Sequence, residues 1–225
     1  VKAHVSGSAA DMRMIGQSWN WPAVAVTLRC LTREPSLMLP HVTVSDISAL
    51  DFHHLRDAGF VGVVFDKDNT ITAPYADDVD ESLRPALDSA LKAFGPQGIA
   101  VLSNSAGGPD DTNYAAAEAL QNTLSLPVLR RKFKKPRGFE AVREHFNGCE
   151  PSALIMVGDR LLTDITFGNL HGMLTVHTTR LLSNAGEPPV VRVARRFESV
   201  VAARYVRKGV SPPPHPLLSF ANLSM

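Results

Sequence analysis

Two carboxylates stand two residues apart in Phe65-Asp66-Lys67-Asp68-Asn69-Thr70, directly after a Val-rich apolar run at residues 60–65. A second apolar run ends in Leu102-Ser103-Asn104-Ser105, and a third ends in Gly158-Asp159, with Asp164 five residues further on. Between them lies Lys134-Lys135-Pro136. Taken singly, each piece has a plainer reading. Asp-x-Asp after a strand is often a turn or a helix cap, Ser-Asn-Ser a turn, Lys-Lys a solvated face, and Gly-Asp a strand-to-helix bend. Together they place an acid pair, a hydroxyl, a lysine and a further acid in order at successive strand ends. That set suits phosphoryl chemistry. A carboxylate nucleophile is repelled by a phosphoryl group unless cations intervene. Magnesium held by carboxylates neutralises and orients the group, and a lysine adds a point charge. Hydroxyl and backbone N–H groups can hold the remaining oxygens. A second acid can protonate the leaving oxygen and then activate water.

Such residues need a scaffold that brings strand ends to one edge. The pattern predicts strands at 60–65, 99–102, 127–129, 153–157 and 173–177. Helices are expected at 81–94, 114–124, 138–146, 165–171 and 190–206. Continuous apolar strands alternating with helices predict an α/β fold, a Rossmann-like parallel sheet with helices on both faces. Ligands in such sheets sit beyond the carboxyl ends of the strands. The intervals from Asp66 to Ser103 and from Ser103 to Lys135 are each filled by about one strand–helix–strand unit of roughly 30 residues. No cap domain fits between them, so the site should stand open and admit a phosphate presented on a large body.

The expected organisation is a flexible segment at 1–17, an amphipathic helix and extended connector at 18–59, the catalytic domain at 60–208, and a Pro-rich tail at 209–225. Residues 19–33 read as the N-terminal amphipathic helix. Trp21, Val24, Ala25, Leu28 and Leu31 share a face, with Arg29 and Arg33 opposite. Two placements fit that helix equally, a bilayer interface or the domain core.

Composition narrows the classes. In 225 residues, 44% are hydrophobic and 20% charged, enough apolar surface for a packed core. Lys+Arg number 23 against 22 Asp+Glu, a net of +1, so no global polyanion-binding surface is expected and no nucleic-acid partner. Cys30 and Cys149 are the two cysteines, which excludes a disulfide scaffold. The eight histidines lack metal-ligand spacing, and His41 and His177 read as packing or capping residues. No run reaches the ~20 apolar residues of a spanning helix. The chain begins at Val1, which leaves room for an upstream segment carrying a signal or transit peptide, and no targeting segment is visible in the residues present.

Asp66-x-Asp68-x-Thr70, Ser103, Lys135 and Gly158-Asp159-(four residues)-Asp164 resemble the four ordered motifs of the haloacid-dehalogenase-like phosphatases. The resemblance implies Asp66 as nucleophile and Asp68 as general acid/base. It implies phosphate binding by Ser103 and Lys135, and we extend that set to Thr70 and Asn104. It implies magnesium held by Asp66, the Asp68 carbonyl and Asp159, with Asp164 as a supporting acid. Lys135 is preferred to Lys134 because it precedes Pro136, as in the superfamily's Lys-Pro pattern; Lys134 is the fallback.

A closer resemblance covers about residues 18–207. Pro35-Ser36-Leu37-Met38-Leu39-Pro40-His41-Val42, Thr70-Ile71-Thr72-Ala73-Pro74-Tyr75, Ser103-Asn104-Ser105-Ala106-Gly107 and Val157-Gly158-Asp159-Arg160 look like the phosphatidylglycerophosphate phosphatase family, its plant and algal branch above all. This implies removal of the terminal phosphate to give phosphatidylglycerol, a cardiolipin precursor, by a peripheral membrane enzyme of mitochondrion or chloroplast. The implied partner is the phospholipid, with no obligate protein partner. Lys134, Arg137 and Arg160 are candidate headgroup contacts, Arg160 being equally suited to a structural ion pair. The same mechanism on a phosphoprotein or a soluble phosphomonoester is the alternative, as is a non-catalytic membrane-associated scaffold.

Overall fold

A computed structural model describes residues 21–183 and 189–219, residues 21–24 by backbone alone. Among the described residues, five strands, β1 (Val42–Val44), β2 (Gly62–Phe65), β3 (Ile99–Val101), β4 (Leu154–Gly158) and β5 (Leu174–Thr178), form one sheet in the order β1-β5-β4-β2-β3. Every pairing is parallel. The helices are α1 (Trp21–Thr32), α2 (Phe52–Asp57), α3 (Arg84–Phe94), α4 (Ala115–Leu124), α5 (Phe139–His145), α6 (Thr166–His171) and α7 (Pro189–Arg207).

Alternation along each strand explains the layers. Val63 and Phe65 of β2 and Ile155 and Val157 of β4 enter one core with Leu55 of α2, Leu87 of α3 and Leu120 of α4. Val64, Leu154 and Met156 point the other way, into a core with Val142 of α5 and Phe167 of α6. Side chains two apart share a face. Because both faces are covered, the strands read as unbroken apolar runs. A third cluster joins Cys30 of α1, Leu37–Leu39, Leu161, Ile165 and Ala202 of α7.

Several elements differ from the sequence expectation. Residues 127–129 make a single bridge, Val101 to Val128, and no strand; Pro127 has no N–H to extend the ladder. The 18–59 connector contributes edge strand β1, paired with β5, and helix α2, whose Asp51 cap accepts from the His54 N–H at 2.9 Å. The packed side of α1 is Cys30 with Val26 and Leu31; of the apolar face read from the sequence, Leu31 is packed and Leu28 is 60% exposed. Arg29 is tied to Glu34 at 2.6 Å. The described part of the tail, 209–219, is docked without helix or strand: His41 Nε2 lies 2.8 Å from the Pro213 carbonyl, and the His215 ring stacks on Phe60. The flexible segment expected at 1–17 lies outside the described residues.

Chain order places the site. The path runs from β2 outward to β3 and returns to β4 on the other side of β2. The crevice at this switch lies between the carboxyl ends of β2 and β4, where parallel sheets bind ligands. Asp66 leaves one strand there and Asp159 the other. Among the described residues, no inserted domain covers those ends.

Candidate active site

Asp66 follows β2 directly, and its N–H donates to the Val157 carbonyl at 2.8 Å, so its position is fixed by the sheet. Asp159 follows β4. Asp164 sits in a π-helical turn, Leu161–Ile165, that leads into α6. Gly158 lets this turn approach the strand: a Cβ there would lie 2.4 Å from the Asp164 Cβ. Asp66, Asp159 and Asp164 are all buried, and a carboxylate oxygen of each lies within 4.8 Å of the others.

Lys135 enters the same cluster. Its buried ammonium donates to Asp66 Oδ1 at 2.6 Å, to Asp164 Oδ1 at 2.5 Å and to the Leu102 carbonyl at 3.0 Å. Arg195 of α7 donates to Asp159 Oδ2 at 2.5 Å. Three buried acids thus meet two cations in direct contact, Lys135 and Arg195. Burial, then repulsion by Asp164, pushes the Asp66 carboxyl up to about 8 against the pull of Lys135. The same causes take Asp159 to about 6 against the pull of Arg195. Burial would lower Lys135, but Asp164 and Asp66 outweigh it and hold the ammonium above its ordinary value. The cluster of hard oxygen donors fits a divalent cation such as magnesium.

Asp68 stands at the mouth. Its carboxylate accepts from the Tyr75 N–H at 3.1 Å and lies 3.3 Å from the Lys67 ammonium. Asp66, Asp68, Asn69, Pro74, Tyr75, Asn104, Asp159, Arg160, Val191 and Arg195 line one cleft of about 130 Å³. Asn69 holds a left-handed backbone at φ 60°, and its buried Oδ1 has no hydrogen-bond partner. The buried Thr70 hydroxyl also lacks one. Such groups await a ligand or water. Ser103 is fully buried after β3, its Oγ accepting from the Ser105 N–H at 3.1 Å.

The expected acids and Lys135 therefore converge, and Asn104 and Arg160 line the cleft with them. Lys134 does not enter: it pairs with Asp110. Arg137 lies over the Phe133 ring at 4.3 Å. Arg160 forms the structural alternative, with its Nη2 2.6 Å from Glu198 Oε1. Three contributors were not legible as site residues. Arg195 sits on a helix far along the chain. Arg131 is buried, donates to the Ser103 and Phe133 carbonyls, and is pushed down to about 10 by burial. Glu198 is the one acid of the arginine-rich α7, a hint of an internal pair.

Glu198 also accepts from the Leu161 N–H at 3.0 Å, joining α7 to the turn that carries Asp164. Glu198→Ala should cost about 2–3 kcal/mol, through a lost charged hydrogen bond and a stranded N–H. Chemical denaturation measures it. A loss below about 0.5 kcal/mol, the scale of an ordinary surface change, would mean the pair does not hold α7.

Residues 23–182 match the family model described as mitochondrial PGP phosphatase. The chain is 48% identical, over 96% of its length and 80% of the relative's, to a chloroplastic phosphatidylglycerophosphate phosphatase of Chlamydomonas reinhardtii. It is 44% identical, over 93% of its length and 60% of the relative's, to a chloroplastic/mitochondrial phosphatidylglycerophosphate phosphatase of Arabidopsis thaliana. A mitochondrial phosphatidylglycerophosphatase of Saccharomyces cerevisiae is 32% identical over 65% of this chain and 80% of its own. No solved structure matches.

Proposed function

This chain belongs to the mitochondrial PGP phosphatase family, and we propose that it removes the terminal phosphate of phosphatidylglycerophosphate, giving phosphatidylglycerol, through an aspartyl phosphate on Asp66. The observation that carries the mechanism is the convergence of Asp66, Asp159, Asp164 and Lys135 at the β2–β4 switch. The names of the relatives support the lipid substrate and an address in mitochondrion or chloroplast. Among the described residues no helix is long and apolar enough to cross a membrane.

In this reading an Asp66 oxygen attacks phosphorus in line, and the bond from phosphorus to the glycerol oxygen breaks. Asp68 gives its proton to that leaving oxygen. The Asp68 carboxylate then takes a proton from water, whose oxygen attacks the same phosphorus. This releases inorganic phosphate and restores Asp66. Lys135 holds Asp66 in place and favours its charged form against burial. Asn69 and Asn104 line the cleft that would take the phosphoryl group, and the buried Thr70 and Ser103 hydroxyls would support it from behind. Asp66 and Asp159 would hold magnesium with the Asp68 carbonyl, and Asp164 stands within reach of the same ion. Bound magnesium would shield the phosphoryl charge and orient the group for attack.

Phosphate release from the diacyl lipid in detergent micelles, compared with soluble phosphomonoesters, tests the substrate. A soluble ester turned over with the higher kcat/KM would overturn the lipid assignment. Chelation should abolish turnover and magnesium restore it. At about a hundred times its dissociation constant, magnesium should stabilise the folded chain by about 2.7 kcal/mol, raising Tm by roughly 5–10 °C. The same addition to Asp159→Asn should move Tm little. A shift of equal size in that variant would place the ion elsewhere.

A further inference from the structure

We propose that α7 is a docking helix for an anionic bilayer, its apolar stripe entering the interface and its arginines meeting the headgroups. Val190, Val193, Phe197 and Val200 are 78%, 67%, 52% and 66% exposed. Their spacing of three, four and three puts them on one helical face. The opposite side is the packed one, with Glu198 and Ala202 buried. Arg192, Arg196, Arg204 and Arg207 are exposed along the stripe and beside it. The helix's single acid, Glu198, is buried against Arg160, so the outward surface carries cations alone.

An apolar face bordered by arginines fits a membrane interface made of acyl chains under anionic headgroups. A second copy of the chain fits poorly. Packing α7 on its twin would set arginines against arginines with no outward acid to pair them.

Position joins this surface to the cleft. Val191 and Arg195 of the same helix line the cleft, together with Pro74 and Tyr75. Tyr75 is 67% exposed at the rim, and aromatic rings with a polar tip favour the headgroup layer. Docking on α7 would thus hold the cleft close to the bilayer surface, on the far side of the helix from the stripe. The choice of a bilayer rests on the lipid reading above, while the docking itself is measured without catalysis.

The test is co-sedimentation of the full chain with vesicles of phosphatidylcholine and phosphatidylserine, two to one, and with phosphatidylcholine alone. Wild type should bind the mixed vesicles and come off as salt rises. Val193→Glu with Phe197→Glu should weaken binding at least about tenfold. Both sites are exposed, so hydrolysis of a small soluble ester should stay within about twofold. Arg192→Gln with Arg196→Gln should weaken binding to the anionic vesicles by about tenfold. Unchanged sedimentation of both double variants overturns the proposal. So does a wild-type dimer that the stripe variant turns into a monomer, by light scattering, with vesicle binding intact. Vesicle docking as described without lipid hydrolysis would sustain this inference and remove the substrate reading.

Discussion

Asp66→Asn is expected to lower phosphate release by about four orders of magnitude or more, the scale on which loss of a covalent nucleophile acts. The substitution keeps shape and removes one function. An amide oxygen can still accept from Lys135, 2.6 Å away in the native cluster, but an amide does not form the bond to phosphorus. Stability should move the other way. Burial and Asp164 already disfavour the charged form of Asp66, so the neutral amide relieves repulsion inside the cluster. An inactive variant with equal or higher Tm separates chemistry from folding. Activity within about tenfold of wild type, the loss of barely 1.4 kcal/mol of barrier height, would leave Asp66 a structural acid and return the scaffold reading to the front.

The sheet was legible because the strands are buried on both faces. Runs such as Gly62–Phe65 and Leu154–Gly158 leave no polar alternation to confuse with a surface strand. The acids at their ends were legible for the same reason, since a charged residue straight after such a run must emerge at the sheet edge. β1 was not, because a strand of three residues, set between Pro40-His41 and a Ser-Asp turn, carries too little pattern. The packed side of α1 was not legible because Val26 and Cys30 offer a second apolar side, and periodicity alone does not choose between them. Arg195 and Arg131 had no signal in spacing. Each is a cation in a basic run, and only the path of α7, or of the loop before Lys135, shows which member turns inward. Geometry also separates Lys134 from Lys135. One reaches outward to Asp110, and the other has 0% of its side chain exposed among carboxylates. The Asp164 position, expected behind the metal ligands, belongs to the same tight group of oxygens as Asp66 and Asp159.

Lys135→Met should be the most damaging single change to the fold of the site. Methionine fills nearly the same volume, so packing is kept and the charge alone is lost. Asp66 and Asp164 would then remain buried at the strand ends without the ammonium that touches both. Stranding a buried charge by removing its partner costs about 3–5 kcal/mol, a large part of the 5–15 kcal/mol that holds a typical domain. For a chain of this size that is a fall in Tm of roughly 10 °C. The carboxylates should recover part of it when a divalent cation is supplied, because the cation stabilises the same oxygens that Lys135 leaves uncompensated. Turnover should not return with it: Lys135 also fixes the direction of the Asp66 oxygen, and positioning lost at the nucleophile is not restored by bulk charge. Thermal unfolding with and without magnesium, alongside phosphate release, reads both effects. A Tm within about 2 °C of wild type, less than 1 kcal/mol at this chain length, would mean that Asp66 and Asp164 are not held as a charged pair around Lys135. The electrostatic account of the cluster would then have to be rebuilt from its other cation, Arg195.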